Sequence, residues 1–176
     1  MADYITFFRI LGAFFVPLLI IFDVSRVFIF FTYIFFALTD VLDGYISRRF
    51  NKSKSDGDIF DPVADKSLFI CTLVVLMGVQ DIPKFASSII ILREIIVLGL
   101  RASAERHSFH IPSSITAKLK TLAGNIAISS YILKDEYFNI SAKFVGDIFF
   151  VICFALTVIS GAQYISRYIK EIQKIK

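Results

Sequence analysis

The chain has 176 residues, 56% of them hydrophobic, and a mean hydropathy of +0.72. That is too apolar for an ordinary soluble domain, so lipid is the solvent against which its segments must be read. The formal charge is +4 and the pI about 9.1, but no basic stripe with interleaved aromatics is present, which argues against nucleic acid and leaves anionic headgroups or phosphorylated substrates as partners for the cations.

Six apolar segments can be drawn, at roughly 5–22, 27–47, 61–79, 84–104, 117–133 and 144–166. Each approaches the ~20 residues that cross a ~30 Å hydrocarbon core as a helix. They predict an all-α polytopic protein with six transmembrane helices and one integral membrane domain over 1–176. The first segment lacks a basic leader and a small-residue cleavage site, so it reads as a retained helix. The fifth is short and carries Gly124, Asn125, Ser129 and Ser130, so it should face protein rather than lipid. Cys71 and Cys153 lie far apart in apolar runs and read as two buried thiols.

Lys and Arg set the orientation. Arg48, Arg49, Lys52 and Lys54, then Arg101, Arg106, Lys118 and Lys120, then Arg167, Lys170, Lys174 and Lys176 fall on one side. Arg26, Lys84, Lys134 and Lys143 fall on the other. The richer side is expected to be cytoplasmic. Tyr164, Arg167, Tyr168 and Lys170 then read as an interfacial belt with a basic tail. Arg9, with Thr6, reads either as support for a substrate pocket or, preferred, as an interfacial anchor of the first helix. His107 and His110 read as solvent-exposed loop residues.

On the cytoplasmic side of the second and third segments stand Asp40, Asp43, Asp61 and Asp65. Asp40 and Asp43 share a helix face by their spacing, and Asp61 and Asp65 lie one turn apart. Asp61 precedes Pro62 and is expected to cap the third helix. Four clustered carboxylates at a membrane are costly unless a positive charge offsets them. An all-oxygen set of charge about −4 suits two Mg²⁺ or Mn²⁺ ions with open positions for a diphosphate. Any one Asp also suits a solvated helix end. Four together, with Gly44, Arg48 and Gly57 between them, do not.

The pattern Asp40-x-x-Asp43-Gly44-x-x-Ser47-Arg48, eight residues, Gly57-x-x-x-Asp61-x-x-x-Asp65 resembles the signature of the CDP-alcohol phosphotransferase family. The one departure is Ser47, where that family usually has Ala. The resemblance implies that Asp40, Asp43, Asp61 and Asp65 hold two metal ions and that Asp65 is also the general base. It implies that Gly44, Ser47, Arg48 and Gly57 receive the CDP group. Glycine permits close backbone approach, and arginine offers a permanently charged, planar phosphate contact. Homodimers, common in the family, are implied too.

Thr6–Ile10, Phe60–Lys66, Leu92–Val97 and Ala117–Thr121 are similar to the members whose acceptor is sn-glycerol 3-phosphate. The implied reaction moves the phosphatidyl group of CDP-diacylglycerol to sn-glycerol 3-phosphate, giving phosphatidylglycerophosphate and CMP. The enzyme would sit in a bacterial cytoplasmic membrane with its site facing the cytoplasm. Arg93, mid-segment beside Glu94, with Arg101, Lys118 and Lys120, is the expected acceptor-phosphate set. Arg93 also suits a buried structural pair, and the others suit headgroup contacts. Lys118 and Lys120 diverge by about 200° on a helix, so both serve one phosphate only if the helix begins there or the side chains bend round. Competing acceptors are phosphatidylglycerol, an inositol phosphate and serine. A cation transporter is the remote alternative, disfavoured because the carboxylates gather at one membrane end.

Overall fold

The computed structural model describes residues 2–49, 60–80, 82–107, 109, 111–134, 136–137 and 140–175. For residues 2–7, 40–49, 60–62, 65, 136–137, 140 and 175 it describes the backbone alone. Six helices account for nearly all of it: α1 (Ala2–Ile21), α2 (Arg26–Arg49), α3 (Phe60–Val79), α4 (Lys84–Arg106), α5 (Ile115–Leu133) and α6 (Ala142–Ile175). They fall on the six apolar segments within a few residues, except that α6 runs nine residues past its segment. The only strands among the described residues are β1 (Glu136–Tyr137) and β2 (Ile140–Ser141), a two-residue antiparallel pair between α5 and α6.

Local chemistry explains the helix ends. After α1 the chain turns through Asp23 at φ 48°, with Asp23 N donating to Ile20 O and Val24 N to Leu19 O, which satisfies two terminal carbonyls. Ser114, in an extended conformation, caps α5 by accepting from Ala117 N at 3.2 Å. α3 starts at Phe60, which places Asp61 inside the first turn and not before it as expected.

α5 packs along α6, α1 along α3, and α4 against α6; α2 crosses α5. The main core gathers Val16, Tyr33, Leu73, Leu76, Ile90, Ile128 and Tyr131 from five helices. The Phe36 ring of α2 packs on the α1 backbone at Gly12, where a Cβ would lie 2.5 Å from Phe36 Cδ1. The Phe69 ring of α3 does the same on α5 at Gly124, where a Cβ would lie 2.7 Å from Phe69 Cε2. A second cluster of Val97, Ala104, Ile111 and Tyr164 ties the α4–α5 connection to α6. The expected inward polar face of α5 is present: Gly124 and Ser129 are buried, and Asn125 is bonded across to α2.

The exterior is apolar. Phe14, Phe22, Phe31, Phe85 and Phe144 are all more than half exposed. Among the described residues, one helix, α6 over Ala142–Lys174, is long and apolar enough by itself to cross a bilayer; Phe8–Ile21, Arg26–Thr39 and Lys66–Val79 are shorter apolar stretches. Cys153 is buried as expected, whereas Cys71 is only half-buried; both thiols are free.

Candidate active site

The C-terminal turns of α2 carry Asp40, Asp43, Gly44, Ser47 and Arg48, and the first turns of α3 carry Asp61 and Asp65. On α2 a spacing of three, and on α3 a spacing of four, gives each pair of positions one helix face. Gly57 lies outside the described residues. The donor set these positions offer is carboxylate oxygen throughout, which suits hard divalent cations. Among the residues with described side chains, no cluster of three His, Cys, Asp or Glu groups stands elsewhere as a competing metal site.

Next to these helix ends is a small cavity of about 40 Å³, open at its mouth. Ala37, one turn before Asp40, lines it, as do Ala64 and Lys66 on either side of Asp65. Arg9 of α1, Tyr33 of α2, Glu94 of α4 and Lys120 and Asn125 of α5 complete its polar wall.

Glu94 organises this wall. Lys120 Nζ donates to Glu94 Oε1, and Arg93 Nη1 donates to the same oxygen at 3.2 Å. The Glu94 and Lys120 side chains are each 3% exposed. Lys120 also lies over the Phe69 ring at 5.6 Å. A buried charge must be paired, and here one carboxylate serves two cations.

The four expected acceptor-phosphate residues separate into three places. Lys120 is on the cavity wall. Arg93 Nη2 donates to Ser160 Oγ at 2.9 Å, and Arg101 Nη2 donates to Tyr164 Oη at 2.5 Å. Both guanidiniums flank the Tyr164 ring, at 5.4 and 5.2 Å from its centroid. Lys118 is exposed, so the two lysines diverge as their spacing requires.

Three readings change. Tyr164 is not part of an interfacial belt: it is 1% exposed, because it fills the gap between the two arginines. Tyr168 is half-buried, bonded to Ser103 Oγ at 2.7 Å and packed on Phe109. Arg9 lines the cavity, which favours its pocket reading over the preferred anchor. His107 is exposed as expected, with Nδ1 bonded to Ser103 O; His110 lies outside the described residues. Lys66, Tyr33 and Asn125 were not foreseen as site residues. Adjacency to Asp65 signalled Lys66, but nothing in the local pattern singled out Tyr33.

Residues 1–162 match the model of the CDP-alcohol phosphatidyltransferase family. A CDP-diacylglycerol--glycerol-3-phosphate 3-phosphatidyltransferase of Rickettsia bellii is 36% identical over 129 residues, 73% of this chain and 71% of that protein. A Bacillus subtilis protein of the same name is 31% identical over 135 residues, 77% of this chain and 70% of that protein. A probable phosphatidylglycerophosphate synthase of Mycobacterium tuberculosis is 31% identical over 140 residues, 79% of this chain and 65% of that protein. With its aspartate pattern set on two helix ends beside a cavity, the chain belongs to the CDP-alcohol phosphatidyltransferase family and is an enzyme of that family.

Proposed function

We propose that this enzyme transfers the phosphatidyl group of CDP-diacylglycerol to sn-glycerol 3-phosphate, releasing CMP. The observation that carries the acceptor is the cavity beside the aspartate-bearing helix ends, with Arg9, Lys66 and Lys120 in its wall. A phosphate monoester is the kind of acceptor that lysine and arginine side chains in a cavity wall can receive. Serine, which has no phosphate, would not use them. The relatives named for glycerol 3-phosphate support the same acceptor.

The chain acts as one membrane domain with six spans, and a homodimer is the assembly that the family resemblance implies. The exposed phenylalanines support a lipid surround, and the Lys and Arg bias puts the aspartate end in the cytoplasm. There a lipid donor can meet a soluble acceptor. Gly44, Ser47, Arg48 and Gly57 receive the CDP group. Asp40, Asp43, Asp61 and Asp65 would hold two divalent ions, Mg²⁺ or Mn²⁺. When bound, such ions supply charge neutralisation at the diphosphate.

The residues then divide the work. The cavity cations hold the acceptor phosphate and bring its primary hydroxyl to the aspartates. Asp65 takes the hydroxyl proton. The freed oxygen attacks the β-phosphorus, the bond from that phosphorus to the bridging oxygen breaks, and CMP leaves. Orientation and charge suffice, so no covalent enzyme intermediate is required.

The test is purified protein in lipid-detergent micelles with CDP-diacylglycerol, Mg²⁺ and one acceptor at a time. Glycerol 3-phosphate is expected to release CMP; phosphatidylglycerol, inositol phosphate and serine are not. CMP release with one of those and none with glycerol 3-phosphate would overturn the acceptor. Cation flux without CMP release would overturn the enzyme reading.

A further inference from the structure

Asn125 stands out in the cavity as a polar group whose two amide donors are unused. The buried Tyr33 hydroxyl donates to Asn125 Oδ1 at 2.8 Å, across the α2–α5 contact. That bond fixes the amide plane and leaves Nδ2, with its two N–H donors, as the other end. Nδ2 bonds to no protein group among the described residues, yet it is not sealed in packing, because Asn125 borders the cavity. Lys120, on the same helix, lies about 7.5 Å from it along the axis. Lys120 and Asn125 side chains reaching into one cavity can together span a three-carbon chain with a phosphate at one end.

We propose that Asn125 determines acceptor specificity by donating from Nδ2 to the secondary hydroxyl, on C2, of a phosphorylated triol. The inference rests on the acceptor proposed above. Tyr33 holds the amide so that it need not reorganise when the acceptor arrives. An anchored donor in a cavity lined also by Phe36 and Leu68 is left unsatisfied by an acceptor that lacks the hydroxyl, and that is what makes rejection strong.

The experiment compares kcat/KM for sn-glycerol 3-phosphate and 3-hydroxypropyl phosphate, which keeps the phosphate and the primary hydroxyl but has hydrogen at C2. The unaltered enzyme is expected to prefer the triol phosphate by at least about tenfold. Asn125→Leu is expected to bring that ratio to within about threefold of unity, chiefly by lowering the triol value. Should Asn125→Leu fold poorly because Tyr33 loses its acceptor, the double variant Tyr33→Phe with Asn125→Leu makes both positions apolar and serves instead. A ratio unchanged by the substitution, or no preference in the unaltered enzyme, would overturn the role of Asn125. No CMP release with either acceptor in the unaltered enzyme would instead overturn the acceptor assignment beneath it.

Discussion

Lys120 of α5 and Glu94 of α4 are paired across the helix interface with each side chain 3% exposed, and Arg93 shares the same carboxylate oxygen. The arrangement is asymmetric. Removing Glu94 strands two cations, whereas removing Lys120 leaves Glu94 still paired with Arg93.

Glu94→Gln is therefore expected to cost more stability than Lys120→Met. Breaking a buried pair on one side costs about 3–5 kcal/mol, and the glutamine should fall near that range. Methionine retains apolar contact with Phe69 and should cost less. Denaturant unfolding in micelles, followed by circular dichroism, checks the order. The reverse order would mean that Lys120 bears the burial cost.

Tyr164 separates ring from hydroxyl. Tyr164→Phe keeps the ring between Arg93 and Arg101 and loses one hydrogen bond, about 1 kcal/mol. Tyr164→Leu removes the ring as well and should lose a further ~1 kcal/mol or more. Equal losses in the two variants would show that the flanking guanidiniums gain nothing from the ring.

Steric contrast among the glycines gives a third expectation. A Cβ at Gly12 would meet Phe36 Cδ1 at 2.5 Å, while nothing lies within 4 Å of a Cβ at Gly99. Gly12→Ala should lose about 1–3 kcal/mol and lower turnover, since Phe36 lines the cavity. Gly99→Ala, inside α4, should gain up to about 1 kcal/mol. Thermal unfolding and CMP release on the same preparations measure both.

Asp65→Asn is expected to leave the helical content unchanged and to lower CMP release by about 10²–10⁴-fold. Chelation with EDTA should abolish turnover in the unaltered enzyme, and Mg²⁺ or Mn²⁺ should restore it. Normal turnover of Asp65→Asn would remove the base from the mechanism.

The helices were legible because apolar runs of membrane length are separated by short polar connections, a signal that survives without any tertiary information. The aspartate pattern was legible because its residues are close in sequence. The cavity was not, because its wall is assembled from five helices whose residues are up to 116 positions apart, as Arg9 and Asn125 are. Arg93 and Arg101 looked like phosphate ligands from charge alone. Their partners, Ser160 and Tyr164, lie on α6, and a linear reading does not bring α6 against α4. Tyr164 looked interfacial for the same reason: its position near a basic tail is visible in the chain, its enclosure is not.

The polar face of α5 bears on how the protein is made. Tyr33 of α2, Gln80 at the end of α3, Glu94 of α4 and Asp147 of α6 all bond to α5. Lysine, asparagine and serine all resist insertion into lipid, and α5 carries Lys120 together with Asn125 and Ser129. On the six-span reading proposed above, α5 is the helix least suited to enter lipid alone. Its admission to the bilayer and its docking on α4 would then be a single event, with Glu94 as the receiving group. Biogenesis of an enzyme so built would wait on a helix that cannot partition until its neighbours are already in place.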